Sequence, residues 1–310
     1  MTQILKHPVV SVWVLTYNHA GYISKCLDSI LEQDTEYRFE ICIGEDESTD
    51  GTREICQAYA KKYPGTIRLF LRDRNDPARE GCCGAWQFNF IETFKACHGQ
   101  FVAMCDGDDY WSDKRKIQKQ VDFLKQHPNC SGCYHKIGQV DENGLLISAD
   151  MGYPPRRQEF YSLDYLLEYS NFSPMFSVVF RNHENVAPDW IRQAPFGDMI
   201  VHTGNLLRGD YGFIDEVMGF YRIHSGGLAS GTSRADNVRA TLEVYSMIGD
   251  YMSLKGSPSY RKGVRNLRFS LFAEKLLSAL LPVSIKRKFD LVLGKRIRAK
   301  VRRMLSFISQ

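Results

Sequence analysis

Short apolar runs alternate with amphipathic segments of helical period along the first hundred residues of the chain. The apolar runs are almost continuous, which is typical of strands in a parallel sheet that helices cover on both faces. In chain order the segments are VVSVWVLTY, GYISKCLDSILEQ, FEICIGE, GTREICQAYAKKY, IRLFLR, AWQFNFIETFKACHG and QFVAMC. The pattern predicts an α/β fold built on a wound sheet, in which ligands bind beyond the carboxyl ends of the strands. The segments TYNHAG, GEDESTDGT and DGDDYW all follow predicted strands, so we expect them to meet in one crevice.

The pattern becomes less regular after Asp113, which is placed to cap the predicted helix KRKIQKQVDFLKQH. Short strands such as SGCYHKIGQV and FSVVFR then alternate with helices such as LDYLLEY and DMIVHTGNLL, and YGFIDEVMGFYRIH reads as a hairpin. We expect this second half of the chain to form the wall that faces the crevice at the strand ends. From about residue 234 the sequence is helical up to a basic end.

Composition and charge add one asymmetry to this picture. The chain has 310 residues, of which 44% are hydrophobic, and its net charge is +4. Residues 286–303 hold nine Lys or Arg against one acid, which leaves 31 basic and 35 acidic residues elsewhere. This tail is also amphipathic and suits an anionic membrane surface, whereas the alternative is a solvated basic face packed on its own domain. No nucleic-acid recognition motif accompanies the charge, so we expect no nucleic-acid partner.

The N-terminal sequence MTQILKHPVV lacks the features of a signal peptide, and no run approaches the roughly 18 apolar residues of a membrane span. These features predict a cytoplasmic protein, with residues 286–303 as a contact to the inner face of the plasma membrane.

Nine cysteines, an odd number spread over apolar segments, predict reduced and buried thiols. The segment CSGC has zinc-like spacing but no second pair, and it reads as the start of a strand.

Three aspartates crowd the end of one apolar run, in the segment FVAMCDGDDYW. Asp106, Asp108 and Asp109 repel one another, so their proximity favours a cation between them. Strand-end carboxylates suit hard divalent cations, which keep positions for water or substrate phosphates. The alternative is a turn that leads into the next helix, since Asp and Gly are common turn formers. The density of acids directly after a buried strand favours a metal that bridges a diphosphate.

Two more polar segments follow predicted strands. In GEDESTDGT, Asp46 is placed to accept hydrogen bonds from a base or a sugar. A helix cap would explain STDGT, but it would not explain the acids before it. In LTYNHAG, Tyr17 is placed either to stack on a planar ring or to close the core.

The elements TYN, EDESTDGT and CDGDDYWSDKRKIQKQVDFL resemble, in this order and at this spacing, those of the family 2 glycosyltransferases of the GT-A fold. The similarity is clear over residues 8–135, looser to about residue 230, and absent from the tail. It implies a GT-A type Rossmann-like wound sheet in residues 1–233, with a nucleotide-sugar half followed by an acceptor-side α+β half at 136–233. Residues 234–310 would form a helical C-terminal extension.

The resemblance also implies where a nucleotide-sugar donor binds. Asp46 would accept the N3 hydrogen of uracil and Tyr17 would pack on the base, so that the donor would be a UDP-sugar. The ligands implied for Mn²⁺ or Mg²⁺ on the diphosphate are Asp106, Asp108, Asp109 and His224. The full set of donor-binding residues implied is Thr16, Tyr17, Asn18, Asp46, Asp106, Gly107, Asp108 and Arg222.

The segment FGDMIVH resembles the part of the family that carries the catalytic base, which nominates Asp198. This residue would take the proton of the acceptor hydroxyl while the oxygen attacks the anomeric carbon opposite the diphosphate, with inversion. A lone Asp at a helix start is otherwise commonly an N-cap. His224, in YRIHSGG, has a structural role as its alternative.

The chain departs from the family pattern in two places. Glu45 and Glu47 replace the usual Asp and Gly, so nucleotide contacts there are expected to differ in detail. The segment WQFN stands where many relatives carry an arginine near the pyrophosphate. Neutralisation of the diphosphate would then depend on the metal, on Arg79, or on Arg222 with His224.

The implied function is a hexosyltransferase-type glycosyltransferase with a glycan or lipid-linked acceptor, acting in bacterial cell-surface polysaccharide synthesis. One alternative is a sugar nucleotidylyltransferase, although that chemistry requires a glycine-rich phosphate loop where this chain has VWVLTYNHAG. Another alternative is a binding module that has lost catalysis and recruits partners to the membrane.

Overall fold

The computed structural model of the chain describes residues 8–151, 158–170, 173–183, 186–227 and 233–280, with side chains in the last range as far as residue 274. Within these residues the strands form one sheet of ten members. Buried side chains form a core on each side of this sheet. The predicted α/β wound sheet is therefore confirmed.

The first half of the sheet consists of four parallel strands, which are β1 (Val10–Thr16), β2 (Phe39–Glu45), β3 (Ile67–Leu71) and β4 (Phe101–Asp106). They lie in the order β3-β2-β1-β4, and the helices between them are α1 (Ile23–Leu31), α2 (Thr52–Lys62) and α3 (Trp86–Lys95). Trp13 packs on Phe90 and Phe94 of α3, whereas Val12 and Val14 are buried in the opposite core. Because both faces of β1 are covered, its residues show no polar alternation.

The second half of the sheet mixes strand directions. Its strands are β5 (Tyr110–Trp111), β6 (Cys130–Asp141), β7 (Leu146–Ser148), β8 (Phe160–Tyr161), β9 (Val179–Arg181) and β10 (Asp210–Ile223). Strand β9 lies antiparallel between β4 and β6, and β10 runs parallel to β6. The helices here are α4 (Lys116–Gln126), α5 (Leu163–Tyr169) and α6 (Asp198–Leu206), and short 3₁₀ helices occur at Pro77–Arg79, Met175–Ser177 and Asp189–Gln193.

The prediction of a hairpin in YGFIDEVMGFYRIH is wrong. The segment is a single strand, β10, because it pairs with β6 along its length. Its register shifts between Ile214 and Val217, so Asp215 and Glu216 lie in an irregular part of the ladder rather than in a turn.

The prediction that Asp113 caps α4 is also wrong. The helix begins three residues later, at Lys116. The Asp113 carboxylate instead accepts hydrogen bonds from the backbone N–H of Arg115 at 2.8 Å and from Lys119 Nζ at 2.7 Å. It therefore stabilises the turn before the helix.

Two long helices, α7 (Arg234–Tyr251) and α8 (Pro258–Leu280), follow the sheet. Helix α8 packs on α5 and α7. A Cβ atom at Gly263 would lie 1.9 Å from the carbonyl oxygen of Leu167, so only glycine allows this approach. The hydroxyl of Tyr245 donates to the same carbonyl at 2.8 Å, and that of Tyr260 donates to the Tyr245 carbonyl at 3.0 Å. The predicted basic tail at 286–303 lies outside the described residues.

All nine cysteines are free, as the sequence predicted. Seven are buried, Cys82 is half-buried and Cys83 is exposed. Cys130 and Cys133 of the CSGC segment are buried on β6, in one of the two cores.

Among the helices that the structure describes, none combines the length and apolar character needed to cross a membrane.

Candidate active site

The carboxyl ends of β1, β2 and β4 lie side by side, because these strands are neighbours in the parallel half. Thr16 at the end of β1 pairs with Glu45, and Leu15 pairs with Asp106. The loops that follow carry TYNHAG, DESTDGT and GDD. The three segments predicted to meet in one crevice are therefore adjacent.

Asn18 joins the loop after β1 to the loop after β2. Its backbone N–H donates to Ser48 Oγ at 2.9 Å, and its side-chain Oδ1 accepts from the Thr49 N–H at 3.0 Å. The residue has φ 54°, a left-handed conformation that asparagine tolerates better than most residues. These contacts give Asn18 a structural role, while its predicted contact with a donor stays a prediction.

Asp46 lies between two arginines from the loop after β3. Arg79 Nη2 is 2.5 Å from Asp46 Oδ1, and Arg74 Nη2 is 3.2 Å from Asp46 Oδ2. The guanidinium of Arg74 also lies 3.6 Å from the centre of the Tyr17 ring. Burial raises the pKa of Asp46, and the two arginines oppose that shift. Tyr17 and Asp46, the pair predicted to bind the base, are thus linked through one guanidinium.

The two glutamates that depart from the family pattern make internal contacts. Glu45 is buried, and it pairs with Arg53 of α2 at 2.5 Å while accepting the Ser48 N–H at 2.7 Å. Glu47 accepts the backbone N–H of Arg74 at 2.5 Å. Both carboxylates therefore hold the loop that presents Asp46.

Gly107 allows two loops to approach closely. A Cβ atom at this position would lie 2.7 Å from Thr16 Oγ1 and 2.9 Å from His19 Nδ1. Thr16 is buried, and its hydroxyl is 3.3 Å from His19 Nδ1. These contacts orient His19, and the donor-binding roles of Thr16 and Gly107 stay predictions.

Three potential metal ligands meet beside Gly107. His224 Nε2 lies 3.0 Å from Asp108 Oδ2, and His19 Nε2 lies 3.8 Å from the same oxygen. One ligand atom from each residue falls within 4.8 Å of the other two. Burial lowers the pKa of His19, so its imidazole is neutral at neutral pH and can ligate a metal. Burial acts to raise the pKa of Asp108, but the hydrogen bond with His224 and the nearby His19 bring it below its ordinary value.

Asp106 and Asp109 place two further carboxyl groups next to this triad of ligands. Asp109 is buried and Asp106 is half-buried. Burial raises the pKa of both carboxyl groups well above the ordinary value, and the charge of Asp108 adds to the shift. Asp109 Oδ1 accepts the backbone N–H of Arg222 at 2.8 Å. The structure therefore groups Asp108 and His224 with His19, while the ligand roles of Asp106 and Asp109 stay predictions.

Arg222 ties the acidic loop to the ends of two strands. Its Nε donates to the carbonyl of Asp108 at 2.9 Å, and its Nη1 donates to those of Asp141 at 3.1 Å and Glu142 at 3.3 Å. The guanidinium also lies 4.6 Å from the centre of the Tyr22 ring. These contacts position Asp108, and the predicted contact between Arg222 and a donor stays a prediction.

The residues fit a divalent cation. One carboxylate oxygen and two imidazole nitrogens converge, and two further acids stand close by. Mg²⁺ is bound mainly through oxygen atoms, whereas transition metals also accept imidazole nitrogen. The donor set therefore suits a divalent cation that accepts both oxygen and nitrogen ligands.

Asp198 is the first residue of α6, and the N-cap of that helix is Gly197. The alternative that Asp198 serves as the N-cap is therefore not what the structure shows. Burial raises the pKa of Asp198 to about 6. Its charge also contributes to the raised pKa of Asp106, so the two carboxylates are electrostatic neighbours. A carboxylate with a pKa near neutrality suits a general base.

Sequence reasoning missed His19 and Arg74. His19 follows TYN, so its place in a recognised element was visible, but a single loop histidine carries little information about its partners. Arg74 belongs to no motif, and its contact with Asp46 depends on how the loop after β3 folds back.

A family model described as "Glycosyl transferase family 2" matches residues 11–184, which is more than half of the chain. The chain belongs to this family. An uncharacterized protein of Mycobacterium tuberculosis is 33% identical to the family 2 chain over 222 residues, which are 71% of this chain and 60% of that one. An uncharacterized glycosyltransferase of Nostoc sp. is 27% identical over 272 residues, 84% of this chain and 80% of that one. Chondroitin synthase of Escherichia coli is 27% identical over 147 residues, 47% of this chain and 20% of that one.

Solved structures show the same fold as the family 2 chain. Staphylococcus aureus TarS in complex with UDP-GlcNAc matches with a TM-score of 0.60 and 19% identity, over 89% of this chain and 77% of TarS. The mannosyltransferase PcManGT from Pyrobaculum calidifontis, in complex with GDP-Man and Mn²⁺, matches with a TM-score of 0.57 and 16% identity. The match covers 95% of this chain and 83% of PcManGT. These likenesses establish a GT-A Rossmann-like fold. The family 2 chain spans 60% of the length of the mycobacterial relative.

Proposed function

We propose that this chain is a metal-dependent, inverting glycosyltransferase that moves a sugar from a UDP-linked donor to a hydroxyl group of a glycan or a lipid-linked acceptor. The observation that carries the proposal is the meeting, at one edge of the sheet, of a charge-paired Asp46 with the triad His19, Asp108 and His224. Asp46 suits a nucleotide base, and the triad suits a cation on a diphosphate.

The base of the donor binds between Tyr17 and Asp46 in this proposal. The carboxylate of Asp46 accepts the N3 hydrogen of uracil, and the aromatic ring packs on the base. Arg74 now bridges the same two side chains, so it shares Asp46 with the base or moves aside when the donor enters. Arg79 keeps the carboxylate ionised and oriented.

The diphosphate would bind next to His19, Asp108 and His224, which would hold Mn²⁺. When bound, this cation supplies positive charge for the phosphate oxygens and for the departing nucleotide. Asp106 and Asp109 increase the negative potential that attracts the cation, and Arg222 keeps the acidic loop in place.

Asp198 acts as the general base. Its carboxylate removes the proton of the acceptor hydroxyl as that oxygen bonds to the anomeric carbon, and the bond from this carbon to the diphosphate breaks on the opposite face. The nucleotide diphosphate leaves with the bonding electron pair, so the anomeric configuration inverts. With a pKa of about 6, Asp198 is still mostly ionised at neutral pH.

The acceptor belongs to a bacterial cell-surface polysaccharide in this proposal, and the resemblance to a chondroitin synthase supports a polysaccharide product. A lipid-linked acceptor would be met at the inner face of the plasma membrane. The basic sequence at 286–303 supports such a location for a cytoplasmic enzyme.

The proposal is tested by the thermal stability of the protein with UDP-, GDP- and dTDP-sugars, with and without Mn²⁺. A ligand that binds only the folded state raises the melting temperature, so we expect UDP-sugars to do so in a manganese-dependent manner. Asp108→Asn should abolish the effect, while Asp34→Asn, which changes an exposed acid elsewhere, should retain it. Stabilisation that does not require a cation, or pyrophosphate formation from UTP in place of UDP release, would contradict the proposal.

A further inference from the structure

Helix α8 carries a stripe of three arginines. Arg261, Arg265 and Arg268 are spaced by four and three residues, so they lie on one side of the helix. All three are exposed. Together with three other residues of α8 they line a concave surface of about 470 Å³, and these neighbours are Tyr260, Val264 and Phe269.

Among the described residues, no ion pair with an acidic side chain balances the charge of this stripe. Other basic residues near α8 are paired, since Lys262 forms an ion pair with Glu168 and Arg234 pairs with Glu274 at 2.9 Å. Within the part of the chain that the structure describes, Arg265 and Arg268 form no ion pair. The arginine stripe therefore presents a positive surface that no described acidic side chain neutralises.

The sequence that follows α8 does not suit this surface. Residues 286–303 carry nine basic residues against one acid, so their approach to the arginine stripe would be opposed by like charge. An anionic partner is favoured instead. Phe272 lies four residues beyond Arg268 on the same side of the helix and is 57% exposed. Arginines with an exposed aromatic residue beside them are typical of helices that lie on anionic bilayers.

We propose that this side of α8 docks on an anionic phospholipid bilayer, with the arginines against lipid phosphates and Phe272 at the boundary of the acyl chains. The inference rests on the proposed function in one respect, because docking matters to an enzyme whose acceptor is lipid-linked. It assigns membrane contact to a helix that packs on the acceptor-side half through α5.

The test is co-sedimentation of the full chain with vesicles of phosphatidylcholine mixed with phosphatidylglycerol, and with vesicles of phosphatidylcholine alone. The variant Arg261→Gln, Arg265→Gln, Arg268→Gln should lose about 100-fold in partitioning to the anionic vesicles, since each arginine near such a surface adds about fivefold. The matched control is Lys61→Gln, Lys62→Gln, Lys114→Gln, which removes the same charge from exposed positions elsewhere. It should bind nearly as the unmodified chain does.

A triple Arg→Lys variant should restore binding, and Phe272→Ser should weaken it by a smaller factor. Equal losses in the Gln variant and its lysine control would overturn the proposal, because binding would then follow net charge alone. Unchanged binding of the Gln variant would also overturn it, since residues 286–303 would then suffice. Circular dichroism checks that the variants are folded. Asp108→Asn should still bind vesicles, so failure of docking and failure of the proposed chemistry are separable.

Discussion

Two acidic sites at the same sheet edge, Asp46 after β2 and the group Asp106, Asp108 and Asp109 after β4, are neutralised in opposite ways. Asp46 receives two guanidinium groups from a neighbouring loop. The group after β4 receives two imidazoles and backbone N–H donors, but no lysine or arginine side chain pairs with its carboxylates among the described residues. The charge of Asp46 is therefore balanced by arginines, while the acids after β4 have no such side-chain partner among the described residues.

This difference has an energetic consequence. Removing the charge of the buried Asp46 destabilises the fold, because it leaves two arginines without their partner. Buried and crowded carboxylates without a cation destabilise the fold, and the raised pKa values of Asp106 and Asp109 reflect burial first and the charge of Asp108 second. The comparison predicts that changes at the two sites will have opposite effects on stability and distinct effects on activity.

The largest effect is expected for Asp108→Asn. The amide cannot replace the carboxylate that His19 and His224 surround, so manganese-dependent transfer should fall by roughly 10³-fold, the scale of a lost metal contribution. Release of UDP from a donor panel measures this loss. Retention of full activity would mean that the acids after β4 do not hold the cation, and the distinction between the two sites would fail.

Asp198→Asn should lower transfer by roughly 10²-fold to 10³-fold, because general-base catalysis is lost while the metal triad remains. Calorimetry with Mn²⁺ should show unchanged affinity. In the unmodified enzyme, activity should fall as pH drops through about 6, since protonated Asp198 cannot accept a proton. The residual activity of the variant should not fall in this pH range. If it still fell, the loss of activity near pH 6 would belong to a group other than Asp198.

Asp46→Asn and Asp106→Asn form a matched pair for stability. The first should lower the free energy of unfolding by about 2–3 kcal/mol, because Arg79 and Arg74 lose their shared counter-charge. The second should raise it by about 1 kcal/mol in metal-free protein, because it relieves repulsion within the crowded group. Urea unfolding without added metal measures both, and a change of the same sign in the two variants would contradict the comparison.

The smallest effect is expected for His19→Ala. Loss of one of three clustered ligands should weaken Mn²⁺ binding by roughly tenfold or more, in the range seen when a partner of a metal site is removed. His98→Ala, outside the cluster, is the control and should leave the affinity unchanged. Equal manganese affinity in both variants would show that His19 is not a ligand, which would leave Asp108, His224 and the other acids.

The parallel half of the fold was predictable because its signal is local. Strands such as β1 are buried on both faces, so their residues are apolar throughout, and short loops follow them directly. The second half was harder, since β10 contains two acids at a register shift and still runs on as one strand. Asp113 shows the same limit, because a good capping residue stands three positions before the true helix start.

For the candidate site, the sequence by itself determined which loops carry the acids and that these loops follow strands of one parallel sheet, because the hydrophobic pattern puts each motif at the end of an apolar run. Only the tertiary structure decided which charges face each acid. Arg74 and Arg79 reach Asp46 from 28 and 33 residues away, and His224 reaches Asp108 from 116 residues away. Partners at such separations are selected by how the loops pack, and electrostatic interactions depend on distance and burial, which no linear pattern specifies.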